Sequence, residues 1–90
     1  MIVTIANVTD FDEFLRTFST VGLAKRREHG CRGAHVVRDP EDACRVWVFF
    51  DWAEEDYEGF LVDPEIPAIA RKLALREPPL KVEPVAEYDA

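Results

Sequence analysis

The sequence predicts an α+β domain whose elements run β-α-β-β-α-β. Three observations predict it. Residues 2–8 form a short β-branched-rich run ahead of a long helical pattern. Two further strand-like runs flank the turn Asp39-Pro40-Glu41-Asp42. A helical region interrupted by "DPEIP" then leads to a last apolar run. This is the ferredoxin-like pattern, with an antiparallel four-stranded sheet and the second helix split in two.

Each element has its own signal. Residues 2–8 read as strand one. Asp10 is a good N-cap, with Glu13 three residues later as a capping box requires. Phe11, Phe14, Leu15, Phe18 and Val21 recur at helical spacing, and Ser19, Thr20 and Gly22 predict a kink or break in that helix. The helix ends near His29, with Gly30 as its left-handed cap. Residues 31–38 are strand two and residues 45–52 strand three, a hairpin closed by a turn in which Pro40 supplies a fixed φ. Residues 54–62 form a helix acidic in its first turn, as the helix dipole favours. Asp63 as N-cap and Pro64 at the first helical position start another helix through about residue 75. Residues 80–88 are the last strand, and Pro84 marks it as an edge or a bulge.

Strand three, "RVWVFFDW", is apolar on both faces. A ferredoxin-like sheet puts strands one and three in its middle, which accounts for one apolar face. Two helices cover only that face. The other face would be left wet at roughly 1.5–3 kcal/mol for each large apolar side chain. A patch of that size marks an interface or a groove. The expectation is a homodimer through the open sheet face, two sheets packed face to face or closed into a dimeric α/β barrel. The pattern leaves open whether Val46, Val48, Phe50 and Trp52 or Trp47, Phe49 and Asp51 face the helices.

Composition narrows the function. Ninety residues at 48% hydrophobic content suit one folded domain, residues 1–90. A net charge of −7 argues against nucleic acid and anionic membrane as partners. The single basic run, Lys25-Arg26-Arg27, suits a helix C-terminus. No signal-peptide pattern or membrane-length apolar run is present, so a cytoplasmic protein is expected. Cys31 and Cys44 lack metal spacing, and opposite ends of one hairpin are too far apart for a disulfide. No metal and no cofactor are expected. Nucleophile-elbow, P-loop and dinucleotide-binding patterns are absent.

Several residues could bear chemistry, each with a plainer alternative. His35, mid-strand, could act as acid or base or be a hydrogen-bonded strand residue. Asp51 either lines a site rim or pairs with an arginine. Tyr57 could line a pocket or simply pack. Trp52 could stack on a flat ligand or sit in the core with its N–H on a backbone carbonyl. Asn7 could bond a substrate oxygen or end a strand.

Asn7, "REHGCRG" (residues 27–33), "VVRDPEDACRVWVFFDW" (residues 36–52) and "DPEIPAIARK" together resemble the dimeric α/β-barrel superfamily. The likeness is greatest to its antibiotic-biosynthesis-monooxygenase-like members and spans nearly the whole chain. The resemblance implies two ferredoxin-like subunits sharing a barrel, with a pocket in each between helices and sheet. Oxygenase members place an Asn near the end of strand one, a Trp at the end of strand three and a His on the following helix. Asn7 and Trp52 match. No His follows Trp52, which weighs against haem ligation and against typical oxygenase chemistry. Two functions stay open. One is a cofactor-free monooxygenase or cyclase acting on a flat aromatic or polyketide-like metabolite, with Trp52 stacking it and Asn7 and His35 as catalytic groups. The other is a non-catalytic dimer that binds a small hydrophobic ligand or is purely structural.

Overall fold

The computed structural model describes residues 1–90. Its elements are β1 (Ile2–Asn7), α1 (Phe11–Phe18), α2 (Val21–Glu28), β2 (Gly33–Arg38), β3 (Arg45–Asp51), α3 (Glu54–Leu61), α4 (Ile66–Lys72) and β4 (Leu80–Val82). The strands form one antiparallel sheet in the order β2-β3-β1-β4. The two most apolar strands, β1 and β3, therefore take its centre.

Register settles the face. Ile2 opposes Phe50, Thr4 opposes Val48 and Ala6 opposes Val46. These residues are all buried beneath the helices, with Trp52 continuing the β3 set. Trp47 and Phe49, on the other face, oppose Ile5 and Val3 in β1 and Val37 and His35 in β2. Leu80 and Val82 extend that open face through β4. Leu80 is 63% exposed and Val37 46% exposed. The apolar second face of strand three is thus real, and nothing within the chain fully covers it.

The first helical region is two helices. The Asp10 carboxylate accepts from the Glu13 N–H and caps α1 as expected. The chain breaks at Ser19-Thr20, whose hydroxyls both donate to the Arg16 carbonyl and compete with the helical pattern. At the end of α2, Gly30 lies at φ 83°. The Gly30 and Cys31 N–H groups return to the Arg27 and Arg26 carbonyls, a Schellman closure.

Four boundaries differ from expectation by two residues or more. β2 begins at Gly33 rather than residue 31, because Cys31 is still engaged in that closure. The fourth helix begins at Ile66 behind Glu65, not at Pro64 behind Asp63. Asp63 instead accepts from the Glu65 N–H and builds the preceding turn, leaving Pro67 within the first helical turn. That helix ends at Lys72, and Ala74 takes a positive φ of 60°. β4 stops at Val82 instead of reaching residue 88, because β1 offers it only Val3–Ile5 to pair with.

Candidate functional site

A cavity of about 110 Å³ lies between the helices and the sheet. Phe50 of β3 floors it, with Phe14 and Phe18 of α1 and Tyr57 and Phe60 of α3 among its walls. These aromatics brace one another. Phe14 and Phe18 rings lie 5.3 Å apart, Phe50 and Trp52 5.4 Å, Trp52 and Phe60 4.9 Å. Edge-to-face and offset contacts at these spacings add to simple burial and hold the walls in place.

The expected residues fall in different places. Tyr57 lines the cavity, and burial pushes its hydroxyl pKa up, so it stays protonated as a donor at neutral pH. Trp52 stands behind that wall, 2% exposed, with its ring 5.3 Å from Tyr57 and its Nε1 donating to the His29 carbonyl at 2.8 Å. Asn7 is at the far end of β1, opposite Arg45, and its Nδ2 donates to Glu77 at 2.9 Å. The β3 residues between Arg45 and Trp52 separate Asn7 from Trp52 by roughly 20 Å at the usual rise per residue. His35 lies on the open sheet face, paired with Phe49. Asp51 is exposed and pairs with Arg32 at 2.9 Å, which holds its carboxyl below the usual range. The structure therefore brings Trp52 and Tyr57 together and keeps Asn7, His35 and Asp51 out of the cavity.

One wall of the cavity was not foreseen. Arg26 of α2 turns inward, 6% exposed, with its guanidinium 3.7 Å above the Phe18 ring and Nη1 donating to the Phe18 carbonyl at 3.0 Å. The sequence placed it in a basic run at a helix C-terminus, where solvation is the ordinary fate. The available signal was Gly22, one turn earlier. A Cβ there would come within 3.2 Å of Arg26 Nη1.

A second polar cluster holds no free site. Glu28, His29 and Asp63 offer ligand atoms within 4.8 Å of one another. The Lys25 ammonium already contacts Glu28 at 2.9 Å, Asp63 at 3.2 Å and Glu65 at 2.7 Å. Any dication would have to displace it. Asp63 also pairs with His29 Nε2 at 2.8 Å, and that bond above all holds its carboxyl down at about 2. Cys31 and Cys44 are free thiols at opposite ends of the hairpin: Arg32 bonds to Asp51, while the Cys44 carbonyl accepts from Val8.

No helix is long and apolar enough to cross a membrane. No known family profile matches the sequence, and no curated protein matches it significantly. Among solved structures, a protein from Chloroflexus aurantiacus J-10-fl described as a candidate antibiotic biosynthesis monooxygenase superposes with a TM-score of 0.55. The match covers 97% of this chain and 93% of that one at 20% identity. That superposition gives this chain the same ferredoxin-like α+β fold as the Chloroflexus protein.

Proposed function

We propose that the chain is a homodimeric protein that binds a small flat apolar ligand between its helices and sheet. The observation that carries this is the aromatic-walled cavity, where pre-braced rings surround space that the chain itself does not fill. The dimer reading rests on the open face of Val37, Trp47, Phe49, Ile5 and Leu80, a continuous apolar surface across all four strands.

Binding without turnover is favoured by the position of the acid–base groups. Tyr57 and Arg26 are the titratable groups on the cavity wall, and both keep their protons at neutral pH. Neither can take a proton from a ligand. His35 and Asn7 lie on the other face of the sheet.

The second reading is oxidation of a flat phenolic metabolite by oxygen without a cofactor. The likeness to the Chloroflexus protein favours it. Oxygen uptake with a panel of phenols and quinols separates the two. Binding without uptake supports the first reading. Saturable oxygen uptake by the wild-type protein with one of these compounds would replace it with the second. Absence of any saturable binding of small aromatic compounds would overturn both.

A further inference from the structure

We propose that His35 makes assembly through the open sheet face pH-dependent: two copies pack there only while their imidazoles are neutral, so mild acid separates them. Regulation of this kind rests on the chain being a homodimer through that face, and it names the group that controls the interface.

The charged groups of the open face sit at its two ends, and they have partners. At one end Arg45 of β3 pairs with Asp39 at 3.4 Å, and Asp39 also accepts from Trp47 Nε1 at 3.3 Å. At the other end Asp51 pairs with Arg32 at 2.9 Å, and the N-terminal ammonium lies near enough to act on the same carboxylate. Between these ends the face is apolar, formed by Val37, Trp47, Phe49, Ile5 and Leu80, with one exception. His35 stands in the middle of β2, opposite Phe49 and exposed. Its ring takes part in no hydrogen bond or ion pair, whereas the other histidine, His29, holds Asp63 on the helix side.

Histidine is the side chain whose ordinary charge change falls between roughly pH 5 and pH 8. In a single chain water reaches the His35 ring, so a proton there costs little. Against a second copy the ring lies among apolar side chains, where a cation without a counter-ion is costly and a neutral imidazole is not. Asp51 is the nearest carboxylate in register, a diagonal neighbour at roughly 7–8 Å, and Arg32 already neutralises it. Asp39 lies further along the strand and is taken by Arg45 and Trp47. A two-fold assembly buries both copies of His35, so two protons oppose it. Valine would suit a face that is always covered, and lysine an edge strand that is always wet. Histidine suits a face that is covered at neutral pH and released in acid.

The test is sedimentation equilibrium of the full chain over a concentration series, from about pH 7.5 down to about pH 5.5, with circular dichroism at the same pH values. The expected result is a folded chain throughout and a dimer dissociation constant that rises roughly 100-fold across the range, each of two ordinary histidines contributing about tenfold. His35→Gln, which cannot take up a proton, should hold one dissociation constant from end to end, whatever its value. A wild-type dimer of constant affinity would overturn the role of His35 and leave the interface standing. A single-chain mass at every pH would overturn the dimer and this proposal with it. The full pH dependence surviving in His35→Gln, or dissociation that occurs only with loss of helical signal, would overturn the proposal by placing the titrating group elsewhere. The wild-type series needs no variant to fold.

Discussion

Trp52 shows how a side chain expected to stack on a ligand can serve the core instead. Its indole N–H meets the His29 carbonyl, tying the end of β3 to the end of α2, and its rings back the cavity wall. Trp52→Phe should cost roughly 2–3 kcal/mol in urea unfolding, because it leaves that carbonyl unpaired and opens a void. An unchanged midpoint would show that the bond contributes nothing. Gly30 gives a sharper case. An Ala there must hold a left-handed φ and place its Cβ 3.0 Å from Asp56 Oδ2. Gly30→Ala should cost roughly 1–2 kcal/mol, read from the same unfolding curves. Both residues were legible in the sequence, Gly30 from its place after a helix and Trp52 as one of two alternatives. Arg26 was not. Whether a residue in a basic run faces in or out depends on helix phase, and the break at Ser19-Thr20 resets that phase. Phase after a break is set by packing against the sheet, which no local pattern records.

Helix ends were hard to read in advance, and the turn before α4 explains why. Asp63 and Pro64 look like a helix start, yet Asp63 is held by Lys25 of α2, by His29 just beyond it and by the Glu65 N–H. A tertiary clamp has displaced a local cap. The clamp has a pH signature. Asp63 in the folded protein titrates at about 2, below its ordinary value near 3.8. A group with a depressed folded pKa contributes its full stability above the unfolded pKa. That contribution declines as pH falls through about 4 and is gone below about 2. Thermal melts of wild type and Asp63→Asn should therefore differ most near neutrality and converge as pH drops across that window. A constant difference at all pH values would show that the carboxylate's charge plays no part. The strand order, by contrast, was legible, although β4 is three residues long where nine were expected. Central β1 and β3 are the most apolar, and edge β4 carries the nearby proline.

At the level of the whole molecule, the open sheet face is the outstanding feature. Hairpin pairing leaves Val37, Trp47, Phe49 and Leu80 on one side, and the helices can reach only the other. The proposed dimer should bury on the order of 2,000 Å² in total, the size of an obligate interface. Light scattering at micromolar concentration should give twice the 10.3 kDa chain mass. Phe49→Glu, at the middle of that face, should shift it toward the single-chain value. A single-chain mass for the wild type would sink the dimer. The fold followed from the order of elements and this face from the lack of alternation along one strand, while the cavity was expected from the resemblance alone, since it depends on how far helices stand off the sheet. The sheet is one backbone thick, so β3 writes two messages in alternate letters: Val46, Val48 and Phe50 answer to what lies under the helices, Trp47 and Phe49 to what lies beyond the sheet. Variation at the first set should change ligand preference at constant subunit composition, and variation at the second should change partner choice while the ligand stays the same. Two traits interleaved in this way can diverge independently within a single strand, so a lineage could acquire a new ligand and a new partner without trading one for the other.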